Sequence, residues 1–237
     1  MLTVDEVTAR YGDATVLDRV SLTVADGEVV GLFGRNGAGK STLLRVLSGL
    51  HPVTGGGVEF AGRPVAGLRA HEISRMGMCL VREGAPMPGS LTVTENVQLG
   101  RRAARLRGAE APSVDEVWAM FPLLTAHAHA RAGFLSGGQR QALALAVAFA
   151  SAPRMLLLDE PSAGLAPKIT AELYESIGRL ASGGTAALIV EQNPAWLTRV
   201  TQRSYVLDLG TVVSEGETTG LTSRLTVDGA AEPVTPP

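Results

Sequence analysis

Short, unbroken apolar runs recur along the chain, with segments between them whose apolar residues return at helical spacing. Residues 29–33, 78–81, 155–158 and 186–190 are such runs. They are too short for helices and read as strands buried on both faces. Residues 2–7 and 15–24 instead alternate apolar and polar positions, the pattern of half-buried strands. Tyr11-Gly12 breaks between those two, and Asp26-Gly27 is a turn signal leading into the first apolar run. Helices are predicted over Leu43 to Leu47 and on to about Gly49, over 68–75, after Thr92, after Ser113 and up to Pro122, up to about Ser151, over 167–180, and from Pro194. Thr92 and Ser113 are cap residues followed by acids in the first turn, where the helix dipole favours them. Residues 54–57 and 83–90 read as loops, 58–60 as a short strand, Gly62-Arg63-Pro64 as a turn, and 204–207 as a strand entering a hairpin at Asp208-Leu209-Gly210.

Strands alternating with helices imply a largely parallel sheet covered on both faces, with a ligand at the carboxyl ends of the strands. The region 83–131 departs from that alternation and reads as mostly helical. After Leu225 few apolar anchors remain, and a disordered tail over 226–237 is expected.

Composition narrows the function classes. The 237 residues carry a formal charge of −2, without the broad basic footprint of a nucleic-acid binder. Arg101, Arg102, Arg105 and Arg107 cluster, and read as a solvated helix face. The lone Cys79, in an apolar run, excludes a disulfide framework and favours a reducing compartment. The first residues lack the basic and apolar regions of a secretory signal, and no apolar stretch approaches the ~20 residues of a membrane span. The expectation is a soluble protein on the cytoplasmic side. His51, His71, His127 and His129 show no metal-ligand spacing and read as surface or loop residues.

Chemistry enters at residues 34–42, Gly-Arg-Asn-Gly-Ala-Gly-Lys-Ser-Thr. Strand, glycine-rich turn, helix is the setting of a P-loop, whose backbone N–H groups converge on a phosphate chain at a helix N-terminus. Gly34, Asn36, Gly37, Gly39 and Thr42 would cradle the phosphates, Lys40 would reach the β- and γ-phosphates, and Ser41 would ligate Mg²⁺. Asp159 ends an apolar strand, the position of an acid that holds Mg²⁺ through water, and Glu160 follows where a carboxylate can activate an attacking water. Residues 135–139, Leu-Ser-Gly-Gly-Gln, place a hydroxyl and bare amides at a second helix N-terminus, a second anion site. Two chains set head to tail would let Ser136, Gly137, Gly138 and Gln139 close on ATP held by the other.

This combination, with Leu-Leu-Leu-Asp-Glu-Pro at 156–161, resembles the ATP-binding subunits of ABC transporters up to about Leu225. The resemblance implies an α/β fold: a P-loop NTPase core with a mainly parallel sheet, an antiparallel β subdomain, and a helical subdomain (about 84–150) carrying the signature motif. It also implies that ATP clamps two such domains together and hydrolysis releases them. Tyr11 matches the aromatic that stacks on adenine. Glu83 stands where the family usually has a Gln that contacts Mg²⁺ and the attacking water. Ala166 replaces the Asp of the loop that crosses to the partner, and Gln192 replaces the switch His at the γ-phosphate.

Together these departures are similar to the second ATPase subunit of branched-chain amino acid importers and of their urea and amide relatives. That implies a second ATPase subunit, in a homo- or heterodimer, together with transmembrane permease subunits. It also implies an extracytoplasmic solute-binding protein, a peripheral place on the cytoplasmic face of the membrane, and no nucleic acid. Val81-Arg82-Glu83-Gly84-Ala85-Pro86 lacks the subgroup's Pro before Glu and its two basic residues. Exporter-type, lipid-transport and non-transport ABC ATPases are the competing readings.

Overall fold

The computed structural model describes residues 1–84 and 86–227. Strands β1 (Leu2–Tyr11) and β2 (Ala14–Val24) form an antiparallel pair from the alternating segments. The P-loop strand β3 (Val29–Phe33) feeds helix α1 (Lys40–Leu47), and β4 (Gly55–Phe60) returns to pair with β1. A two-residue strand β5 (Arg63–Pro64) then borders β4, giving the order β2-β1-β4-β5. Next come α2 (Ala70–Arg75), β6 (Met78–Val81), α3 (Val93–Leu106), α4 (Val114–Met120) and α5 (Gly137–Ala150). The chain continues through β7 (Met155–Asp159), α6 (Pro167–Ser182), β8 (Ala186–Glu191), β9 (Arg203–Asp208), β10 (Thr211–Glu217) and α7 (Thr218–Val227).

The second sheet runs β10-β9-β3-β8-β7-β6, parallel throughout except for the β9–β10 hairpin. Its strands show why continuous apolar runs mean burial on both faces. On β7, Met155 and Leu157 join the core shared with α1 and the antiparallel sheet, while Leu156 and Leu158 join the core beneath α3 to α6. On β8, Ala186, Leu188 and Val190 take the first side, Ala187 and Ile189 the second. Each fully buried Leu contributes on the order of 2 kcal/mol, so the two cores hold the strand ends in place from both sides.

Helices α3 and α4 start where their caps predict. Thr92 accepts from the Glu95 N–H while Glu95 accepts from the Thr92 N–H, and Ser113 and Glu116 repeat the reciprocal bond. Ahead of α5, the segment entering α3 is laced to the segment preceding the Leu-Ser-Gly-Gly-Gln motif. Gly133 N–H donates to Gly89 O (3.0 Å), Ala132 to Leu91 O (2.9 Å) and Val93 to Ala130 O (2.9 Å).

Four expectations are corrected. Glycines 55–57 are strand, not loop: β4 must approach β1 so closely that a Cβ on Gly56 would lie 2.2 Å from Glu6 O. The segment from Pro194 is a 3₁₀ turn (Pro194–Arg199) rather than an α-helix. Arg107 leaves the solvated basic face, because its guanidinium donates to Ser151 O (2.9 Å) and to Ala152 O. Helix α7 reaches Val227, into the stretch expected to be tail; the rest of that tail, 228–237, lies outside the described residues.

Candidate active site

The carboxyl ends of β3, β7 and β8 lie side by side, in register Phe33↔Glu191 and Asp159↔Val190. Whatever follows these strands therefore converges. After β3 the chain turns through 34–39, and Gly39 is the residue before α1, with φ 105°. That left-handed conformation suits glycine. A Cβ there would also press on Leu17 Cδ2 at 2.8 Å and Val16 O at 3.0 Å. Gly37 is likewise left-handed, so the loop wraps tightly enough to aim its amides inward.

Lys40 opens α1 with its side chain only 4% exposed, its ammonium donating to Gly34 O (2.8 Å) and Arg35 O (3.2 Å). It lies 3.7 Å from Glu160 Oε1. One residue on, the Ser41 hydroxyl donates to Asp159 Oδ1 at 3.0 Å. Burial raises the Asp159 carboxyl above its usual range and the Glu83 charge adds to it, against the Ser41 hydrogen bond. Glu160 is raised mainly by burial, with Glu83 and Asp159 adding and the Lys40 charge opposing. Three acids thus crowd one corner, with Lys40 the cation paired there among the described residues. Such a corner suits a further cation bound through oxygen. No group of three His, Cys, Asp or Glu side chains among the described residues forms a metal cage alone. The fit is to an ion that takes Ser41, Asp159 and ligand oxygens together, as Mg²⁺ does beside phosphates.

Glu160 itself has φ +46°, a left-handed backbone rare for a non-glycine residue, held by its N–H donating to Val190 O (2.9 Å). Gln192, directly after β8, is exposed, and the paired strand β7 ends directly before Glu160. Tyr11 is 44% exposed, with one face stacked on His51 at 4.2 Å between ring centroids and its hydroxyl accepting from Arg45 (3.3 Å).

At the start of α5, Ser136 is the capping residue. Its hydroxyl accepts from Gln139 N–H (3.3 Å), while Gln139 Oε1 accepts from Ser136 N–H (2.9 Å). The Gln139 amide nitrogen then meets His127 Nε2 at 2.8 Å. Ser136 and Gly137 are exposed, so the hydroxyl proton and the first amides of α5 face outward. Among the described residues, none of the side-chain hydrogen bonds at this helix start reaches the P-loop; the partners are within 135–139 and His127.

Residues 17–163 match the ABC transporter family pattern. The chain belongs to the ABC transporter family. BraG of Pseudomonas aeruginosa, a high-affinity branched-chain amino acid transport ATP-binding protein, is 39% identical over 90% of this chain and 91% of its own length. DrrA3 of Streptomyces coeruleorubidus, a daunorubicin resistance ATP-binding protein, is 36% identical over 91% of this chain and 67% of its own. Among solved structures, a dimeric bacterial ABC transporter cassette, MJ0796, superposes with a TM-score of 0.81 at 27% identity, covering 92% of this chain and 99% of that one. The chain is therefore an ABC ATPase, with the P-loop NTPase fold its sequence implies. No helix among the described residues is long and apolar enough to cross a membrane.

Sequence reasoning missed four residues that adjoin these candidate positions. His51 and His127, read as uninvolved, touch Tyr11 and Gln139. Glu191 and Tyr174 lie behind the Glu160 turn, hydrogen-bonded at 2.7 Å. A carboxylate closing a wholly apolar strand was the available signal for Glu191.

Proposed function

We propose that this chain is the ATP-hydrolysing subunit of an importer for a small polar solute, a branched-chain amino acid. The observation that carries the reading is the full-length likeness to BraG, in a chain that keeps Lys40, Ser41, Asp159 and Glu160 together at one corner.

In this reading Tyr11 supports adenine on the face away from His51, and the amides of 34–42 hold the phosphates with Lys40 between β and γ. Ser41, Asp159 and, from its unusual position, Glu83 would hold Mg²⁺, which would supply charge neutralisation at the phosphates. Glu160 takes the proton of the attacking water, its raised carboxyl favouring that role. Gln192 donates a hydrogen bond to the γ-phosphate but carries no charge to give. Ser136, Gly137, Gly138 and Gln139 of an opposing subunit close the site, with the Gln139 amide already committed to Ser136 and His127. The subunit works on the cytoplasmic face of the membrane, paired with a second ATPase subunit.

A groove of about 360 Å³ between β6 and helices α3 and α5 supports docking of a permease segment. Arg82, Pro86, Met87 and Leu99 line it, beside Cys79, whose thiol burial pushes up to about 11 and so keeps neutral.

Two substitutions probe the halves separately. Tyr11→Ala should raise the KM for ATP about tenfold at little cost in kcat, as loss of one base-stacking platform does. Ser136→Ala should leave this chain's own nucleotide affinity intact yet slow turnover at the opposing site by roughly tenfold or more. An unchanged rate in the assembled complex excludes the shared site. For the substrate, ATP turnover in liposomes containing the permease subunits should rise with a binding protein loaded with leucine, isoleucine or valine. Stimulation by urea or short amides instead reassigns the importer.

A further inference from the structure

Glu191 is a buried carboxylate that the reaction as described does not use. Its residue is 2% exposed, and no cation pairs with it among the described residues. Burial raises its carboxyl above the usual range, with the Glu160 charge adding, while hydrogen bonds from Tyr174 and Ser162 pull the other way. A lone carboxylate in such a place is costly, and a neutral side chain would pack there at less expense.

What it does is visible in its contacts. Oε1 accepts from the Tyr174 hydroxyl at 2.7 Å and from the Ser162 N–H at 3.1 Å. The residue before it, Val190, accepts the Glu160 N–H through its carbonyl. The end of β8 therefore grips both ends of the turn 160–162, whose first residue sits in a strained left-handed conformation. Tyr174, 1% exposed, also stacks on Trp196 at 5.8 Å, just past Gln192. One carboxylate joins the Glu160 turn, the start of the loop 162–166, helix α6 and the segment following the γ-phosphate residue.

We propose that Glu191 is a positioning residue for hydrolysis, holding the 160–162 turn so that Glu160 stays aimed at the γ-phosphate and in step with Gln192. This rests on the ATPase reading of the site. It predicts a defect in turnover rather than in nucleotide binding, since the hydrogen bonds of the Glu191 side chain go to Tyr174 and Ser162, on the Glu160 side of the site.

The test uses the assembled complex, with kcat, KM and nucleotide Kd measured for Glu191→Ala, Glu191→Gln and Tyr174→Phe. Glu191→Ala should lose about ten- to hundredfold in kcat with KM and Kd within about twofold, the loss expected for a buried charged acceptor. Glu191→Gln keeps an acceptor oxygen for both donors and should recover to within about threefold of wild type. Tyr174→Phe removes one hydroxyl and should cost about threefold in kcat alone. If Glu191→Ala does not fold, Tyr174→Phe decides by itself: reduced kcat at unchanged KM supports the assignment, unchanged kcat overturns it. Equal losses in kcat and Kd would mark a general loosening and overturn it too. A wild-type complex that turns over ATP beside an unaffected Glu191→Ala overturns this inference alone. A wild type with no ATP turnover overturns the ATPase reading and the inference together.

Discussion

Glu160→Gln should all but abolish turnover while leaving ATP bound. The substitution keeps the side chain's shape at the strained turn and keeps an oxygen 3.7 Å from the Lys40 ammonium, but it removes the group able to take a proton from water. General-base contributions of about 10²–10⁴ in rate set the size of the loss. Because the amide no longer repels the γ-phosphate, affinity should hold or improve, and ATP-loaded dimers should accumulate. Gel filtration with ATP reads the dimer, and single-turnover assays read the chemistry. A variant that still hydrolyses ATP within about tenfold of wild type removes Glu160 from the general-base role.

Lys40→Ala should act at the earlier step, with ATP affinity falling by roughly two orders of magnitude or more, as when one partner of a buried charge contact is cut away. The argument is local. Its ammonium satisfies Gly34 O and Arg35 O and is the charge that opposes the upward shift of Glu160. Removal leaves two loop carbonyls without their donor and three acids facing the phosphates. The change should appear as lost nucleotide binding in calorimetry, with a melting temperature lowered by a few degrees in the absence of ATP, since two carbonyls lose their donor. Retained affinity would mean that the loop amides alone hold the phosphates.

The two cases also mark what sequence could convey. The P-loop, the acid pair at 159–160 and the capped motif at 136–139 were legible because each lies within a few consecutive residues whose local geometry is self-determined. The parallel sheet was legible because β6, β7 and β8 are buried on both faces, which demands unbroken apolar runs. Glu191 and Tyr174 were not legible as a pair, since they meet only when α6 packs over β8, 17 residues apart in the chain. His51 and Tyr11 meet for a similar reason, 40 residues apart, one in the bend after α1 and the other at the end of β1, and no local spacing announces a stack formed that way. The glycines at 55–57 misled because a close strand approach and a loop ask for the same residue. The rise of α7 after Glu217 was hidden by its mixture of Thr, Gly and Ser, poor helix formers that tertiary contacts override.

The backbone lacing between Gly89 and Gly133, and between Leu91 and Ala132, has a mechanical meaning. It ties the rim of the groove at Met87 and the segment that leads to the cap of α5 together through the main chain itself. If the proposed permease docks there, a displacement at Met87 would meet no slack connector before the segment leading to Ser136, because main-chain hydrogen bonds already join the two stretches.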